Sequence, residues 1–413
     1  MEGVPTVLPT FRLSSMSVLR RAARPCCLAL VTAVIGSMIL CGCAGVPEFR
    51  APIVEVQGTA LKNGVSPSLF RLIGFDVSGT EAGCVSGWGI STAPISASEA
   101  HAIASWHVNA VRVPLNEDCW LGINGLGAKY AGAPYRNAIH RWVKLLGTVG
   151  ICVILDLHWS APGRLKAIGQ WPMPDSSHAN RFWSEVAKSF RTDPSVIFDL
   201  FDEPALGGSH PLRADWSCLL RGCVSAHKLG CGSASVACPV VTYAVAGTQS
   251  LVDAIRSTGA RQPIMVAGLA WASDPCGLYD TGGNSGQCMW VEYEPVDPLH
   301  QIIASYHAYS RSICKVTSCW DKSVSPVLKV APVVTGEFGE TDGCKSRFVR
   351  SYMTWADRSG ISYLAWNWGV PTLRDVQCRS ANLQLIRNWS GKVNLHSPAA
   401  VEIQAHFAYI WRK

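Results

Sequence analysis

Charge is scarce in this chain: only 16% of its 413 residues are Asp, Glu, Lys or Arg, against 48% hydrophobic ones. That balance excludes a disordered chain, because enough apolar surface is present to offset the entropy of ordering. Long basic runs are missing as well. The formal charge of +7 falls to +4 without the first 42 residues, which carry Arg12, Arg20, Arg21 and Arg24 against Glu2, so no nucleic-acid partner is expected. Past residue 50 there is no internal repeat, no low-complexity tract, no Pro- or Ser-rich linker and no apolar run long enough to span a bilayer. Nothing marks a second module, and a barrel can occupy about 250 residues or more as one unit.

Several chemical signatures are also missing. No GxSxG string joins a strand to a helix, which removes the nucleophile elbow of a serine hydrolase. His158 and His307 occur without an HxH or HExxH partner, and GWGI in the first long loop is not the GxGxxG of a dinucleotide fold. No compact CxxC pair exists to hold zinc. No metal-binding motif and no dinucleotide-binding motif is therefore expected.

Cysteine, by contrast, is abundant, with 17 residues, and so many without metal spacing point to an oxidising compartment. From Met16 the chain reads as a basic stretch, an apolar run and then small residues, the order of an export signal. Its end, Leu40-Cys41-Gly42-Cys43, resembles the bacterial lipobox and makes Cys43 a candidate lipid anchor. An uncleaved signal anchor or an ordinary cleavage site is the alternative. The expected division is a lipoprotein-type signal at 1–42, a linker and N-terminal extension at 43–65, and the folded module at 66–413. Of the cysteines beyond Cys43, Cys152 lies in the apolar run ICVIL and reads as a buried thiol. Close pairs Cys218/Cys223, Cys231/Cys238, Cys276/Cys288 and Cys314/Cys319 are candidates to staple single loops.

Eight short apolar segments recur, at Phe70 to Val77, Asn109 to Leu115, Ile151 to His158, Val196 to Glu203, Pro263 to Ala270, Ile302 to Tyr309, Pro332 to Phe338 and Ile361 to Trp368. Helical patterns intervene at Ala97 to His107, Tyr135 to Thr148, His178 to Arg191, Tyr243 to Thr258 and Ser346 to Arg358, with a weaker one near Leu383 to Asn388. Strands this apolar suit a parallel sheet covered on both faces, and eight of them alternating with helices predict an α/β fold, a single-domain (β/α)8 TIM barrel with disulfide-stapled loops.

The polar residues fall where such a barrel keeps its chemistry, at the C-terminal ends of the strands. Arg112 is assigned to the end of strand two, His158 and Trp159 to strand three, Asp202 and Glu203 to strand four, His307 and Tyr309 to strand six, Glu337 to strand seven and Trp366 to strand eight. Any one of them could be an ordinary rim residue. Together, two carboxylates among aromatics are what glycosidic cleavage needs: one protonates the leaving oxygen, and the other attacks the anomeric carbon or activates water. Glu203 and Glu337 are that pair. Arg112, His158 and His307 can hold carboxylates and hydroxyls, and Trp366 offers a flat face to a sugar ring. Trp88, Trp120, Trp159, Trp171, Trp290 and Trp368 are further candidate platforms or loop-core residues.

The strings RVPLNEDCW, VILDLHWS, SVIFDLFDEP, SYHAY, VVTGEFGE and YLAWNWG, in this order over residues 70 to 370, resemble glycoside hydrolase family 5, the cellulase family. The resemblance implies a retaining mechanism without cofactor, with Glu203 as acid/base, Glu337 as nucleophile, and Arg112, His158, Trp159, Asp202, His307, Tyr309 and Trp366 binding a β-linked polysaccharide or oligosaccharide. Endo-β-1,4-glucanase activity is the leading expectation. β-Mannanase, exo-acting β-glucosidase, or a weakened polysaccharide-binding lipoprotein are the alternatives, and a monomer is expected. One departure stands out, since the family carries Asn before its acid/base and this chain carries Asp202. A second charge beside Glu203 is expected to raise the acid's pKa.

Overall fold

The computed structural model describes residues 51–64, 66–228, 239–280, 287–341, 344–371 and 383–412. The expected leader at 1–42, Cys43, Cys231, Cys238 and Cys378 lie outside them. Eight parallel strands close into a barrel in sequence order: β1 Ile73–Asp76, β2 Ala110–Asn116, β3 Cys152–Trp159, β4 Val196–Asp199, β5 Ile264–Ala267, β6 Ile302–Tyr309, β7 Val333–Gly339 and β8 Ser362–Ala365. Each falls within or overlaps one of the eight apolar segments. Helices Ala97–Ala104, Ala133–Thr148, Ala179–Phe190, Thr248–Arg256 and Arg347–Arg358 lie between strands, and Pro398–Ile410 closes the described chain. Local chemistry starts several of them: the Ser96 hydroxyl accepts from the Glu99 N–H, and Ser397 does the same for Ala400 ahead of a proline-led first turn.

Side chains alternate between the two faces of a strand, which splits the apolar residues into two layers. Phe75, Val111, Val113, Val153, Leu155, Val196 and Phe198 pack outward in the large cluster shared with the helices. Ala110, Cys152, Ile154, Ile197, Met265, Ile303, Val334 and Leu364 form a separate buried cluster with Leu72. Val54 and Leu61 join that second cluster from an antiparallel three-stranded sheet, Val54–Gln57, Ala60–Asn63 and Ser66–Leu69. A stretch read from sequence as linker and N-terminal extension thus covers one end of the barrel, and Gln301 pins it by bonding both the N–H and the C=O of Val56. Gly74 marks how closely the strands approach, since a Cβ there would lie 1.8 Å from the Ala110 carbonyl oxygen.

Two helical readings are corrected. Residues 243–247 do not begin a helix, because Val240–Ala244 pairs with Val224–Lys228 in a hairpin and the helix starts at Thr248. The weak pattern at 383–388 is extended instead: Ile386–Asn388 pairs with Lys392–Val393. Disulfides join Cys218–Cys223, Cys276–Cys288 and Cys314–Cys319 as the spacing suggested, and also Cys84–Cys119. Cys152 is a buried free thiol. Among the described residues no helix is long and apolar enough to cross a membrane.

Candidate active site

Beyond the apolar layer, the next inward positions carry charge. Arg112 follows Ala110 by two residues, Asp156 follows Ile154, and Asp199 follows Ile197, so the period that packs the barrel also delivers ionisable groups to its interior. Arg112 is not at the end of β2, where the sequence reading put it; it lies mid-strand with no exposed surface. Its guanidinium meets five carboxylates: Nη1 lies 3.0 Å from Asp76 and 2.9 Å from Glu337, Nη2 lies 2.8 Å from Asp202 and 3.1 Å from Asp156, and Nε lies 2.9 Å from Asp199. A planar fork of fixed donors is suited to such a ring.

Glu337 sits in β7 directly opposite His307 of β6, where the register shifts by a bulge. The Tyr309 hydroxyl donates to Glu337 Oε2 at 2.6 Å. His307 Nδ1 lies 3.1 Å from Glu203 Oε1 and 3.7 Å from Glu337 Oε2. Gly336 leaves room for this imidazole, because a Cβ there would stand 2.9 Å from His307 Nε2. Asp202 and Glu203 lie past the end of β4, in the loop rather than in the strand. Gln170, from the loop after β3, donates to Asp202 Oδ2 at 2.8 Å and lies 3.4 Å from Glu203 Oε2.

One full positive charge cannot keep five buried acids ionised. Burial raises Glu337 well above the ordinary range, and the Asp202 charge adds to this while Arg112 opposes it. Burial likewise lifts Asp76 well up and Asp199 to about 8, against the pull of Arg112. Asp202 behaves oppositely: burial works to raise it, but His158 and Arg112 outweigh that and hold it below the usual range. Burial alone would depress His158, yet Asp202 and Asp156 lift it to about 9. The Asp202 carboxylate turns to Arg112 and His158, and its charge also falls on Glu337.

Donor atoms of Asp156, His158 and Asp202 lie within 4.8 Å of one another, as do those of Asp202, His307 and Glu337. Arg112 is in contact with a member of each trio, and its charge disfavours a cation there.

A family model, Cellulase (glycosyl hydrolase family 5), matches residues 70–371. The chain belongs to glycosyl hydrolase family 5 and is a glycosidase. The fold agrees with solved structures. A β-glucanase from Saccharophagus degradans, in complex with cellotetraose, superposes with a TM-score of 0.61 at 18% identity, covering 87% of this chain and 94% of that one. The catalytic domain of a Thermobifida fusca endoglucanase superposes with a TM-score of 0.55 at 16% identity, covering 86% and 97%.

The aromatic expectations divide within this family 5 barrel. Trp366, half-buried just past β8, stacks on His158 with ring centres 5.5 Å apart and planes 6° apart. Trp159 is half-buried and Trp88 is exposed. Trp171 and Trp368 are buried loop residues and Trp120 and Trp290 are buried in short helices, so none is an open platform. The sequence reading missed Asp76, Asp156, Asp199 and Gln170, as well as Trp271, which is 40% exposed and lines a groove with Tyr309, Ser273 and Arg311. Of the aspartates only Asp156 carried a signal, as the lone charge of Ile151 to His158; Asp76 shares its segment with Arg71, and Asp199 shares its own with Asp202 and Glu203.

Proposed function

We propose that the protein is a retaining endo-β-1,4-glucanase in which Glu337 is the nucleophile and Glu203 the acid/base. In the first step a Glu337 oxygen attacks the anomeric carbon, the glycosidic C–O bond breaks, and Glu203 gives its proton to the departing oxygen. In the second, Glu203 takes a proton from water as that water attacks the same carbon and releases Glu337. Arg112 and Tyr309 hold the Glu337 carboxylate by two charge-assisted hydrogen bonds. Trp366, stacked on His158, offers a ring face, and Trp159 is a second candidate platform. In this reading Asp202 and Gln170 bond sugar hydroxyls beside Glu203.

The observation that carries this reading is that one nitrogen, His307 Nδ1, stands within reach of both glutamates. Such a shared neighbour fits the roughly 5–5.5 Å spacing of retaining pairs better than the roughly 6.5–9.5 Å that leaves room for an inverting water. The β-1,4-glucan assignment leans on the cellotetraose held by the S. degradans relative. Action outside the cytoplasm is part of the proposal, with Cys43 as lipid attachment point, and the disulfides favour an oxidising compartment.

The test is hydrolysis of soluble β-glucans and β-mannans by the oxidatively folded chain, with Glu337→Gln as control. Release of short gluco-oligosaccharides by the wild type alone is expected. Preference for mannan would overturn the glucanase assignment, and binding without turnover would recast the protein as a polysaccharide-binding lipoprotein.

A further inference from the structure

A second group of ionisable side chains is buried away from Arg112. Glu117 opens the short helix Glu117–Leu121 directly after β2. Asp175 and His178 end the loop that runs from β3 to the helix Ala179–Phe190, whose N-cap is His178. One donor atom from each of the three lies within 4.8 Å of the other two. Glu117 has no exposed surface and Asp175 has 2%, while the His178 side chain keeps 19%, a route from solvent.

What sets this group apart is the lack of a countercharge, although Asp175 Oδ2 accepts from the Ser177 N–H and hydroxyl. Glu117 Oε1 and Asp175 Oδ1 are buried without a hydrogen-bond partner among the described residues. Glu117 Oε2 receives only a long bond from the Ala161 N–H at 3.4 Å, and it faces His178 Nδ1 at 3.9 Å. His178 Nδ1 lies 3.3 Å from Asp175 Oδ2. Among the described residues no lysine or arginine pairs with either carboxylate, in contrast to the Arg112 ring. Burial and then the Asp175 charge push Glu117 well above the ordinary carboxylate range, and a cation between the three side chains would supply the countercharge that is missing.

We infer that Glu117, Asp175 and His178 form a binding site for one divalent transition-metal ion of the zinc or manganese class. The donor set decides the class. Calcium and magnesium favour six or more oxygen ligands, whereas two carboxylate oxygens and an imidazole nitrogen suit zinc or manganese. Ligands about 2.0–2.1 Å from a tetrahedral ion stand roughly 3.3 Å apart. The two edges at His178 measure 3.3 Å and 3.9 Å, and the Glu117–Asp175 edge is within 4.8 Å, so the carboxylates must close toward the ion. Water at the half-open His178 edge completes the shell. The ion ties the end of β2 to the loop that also carries Gln170 to Asp202 and Glu203, so it orders that loop as well as the cluster.

The experiment is calorimetric titration of the full, oxidatively folded and chelator-stripped chain with zinc chloride, manganese chloride and calcium chloride in turn, and visible absorption of the cobalt(II)-loaded protein. One equivalent of zinc or manganese per chain, without competition from calcium, is the expected result. Glu117→Gln and His178→Ala should each weaken binding by about 100-fold or more and abolish the cobalt band. His178 lies at the solvent edge, so its variant keeps the fold, as circular dichroism would verify. Absence of stoichiometric uptake, preference for calcium, or equal uptake by wild type and both variants would overturn the proposal.

Discussion

Along β3 the inward residues run Cys152, Ile154, Asp156 and His158; the first two belong to the apolar floor of the barrel and the last two to its charged mouth. The same change occurs from Ala110 to Arg112 on β2 and from Ile197 to Asp199 on β4. One set of strands therefore carries two kinds of interior, a change of two residues apart. The floor is held by volume and exclusion of water, and its antiparallel cover adds Val54 and Leu61 to the same packing. The mouth is held by one guanidinium against five acids, an arrangement whose balance depends on pH and on which acids keep their protons. Stability belongs mainly to the first and chemistry to the second, a division that substitutions can test.

Glu337→Gln should have the largest effect, lowering turnover by about 10^4-fold or more while leaving thermal stability close to wild type; a mere tenfold loss would remove Glu337 from the chemistry. Arg112→Met leaves buried acids without their countercharge and should destabilise the fold by about 3–5 kcal/mol as well as remove activity, as chemical denaturation would record. At the floor, Ile303→Ala should reduce stability by about 2–5 kcal/mol. Turnover per folded molecule should stay unchanged there. A floor substitution that altered the pH profile would break the division between the two halves.

Two smaller effects sharpen it. His158 has a folded pKa near 9 against about 6.5 unfolded, so its contribution is fully present below about pH 6.5 and disappears as pH rises through about 9. The stability difference between wild type and His158→Gln should shrink across that window, and a constant difference would contradict the assignment. Asp202→Asn removes a charge that raises Glu337. With Glu337 free to ionise at lower pH, the acidic limb of the turnover profile should move down by about one unit. An unmoved limb would mean that the Asp202 charge does not reach the nucleophile.

Much of this architecture is legible in the chain itself. Parallel barrel strands are covered on both faces and read as continuous apolar runs, which is why all eight were found, with ends trimmed where Leu200 to Glu203 and Gly268 to Ala270 leave the ladder. The hairpin around Tyr243 was misread because the residues before Thr248 continue an apolar pattern, and pairing with Val224–Lys228 is not a local property. Glu203, Glu337, His307 and Tyr309 are singled out by resemblance and chemistry together, and the fold brings them into one cluster. Asp76, Asp156 and Asp199 were passed over because an acid inside an apolar strand acquires meaning only when Arg112 lies opposite. Gln170 carries no local signal at all, since its place depends on how a long loop returns to the mouth. The reach of Asp202 to Arg112, His158 and Glu337 was missed for the same reason, since it depends on where the side chain turns.

The central claim is that Glu203 and Glu337 act as a close pair and retain configuration. Proton NMR of the first minutes of cellopentaose hydrolysis tests this directly, because the anomer released by the enzyme is visible before mutarotation mixes the signals. The account predicts that the β-anomer appears first and the α-anomer grows in later. An α-anomer at the outset would mean inversion through water and would contradict the assignment of Glu337 as nucleophile.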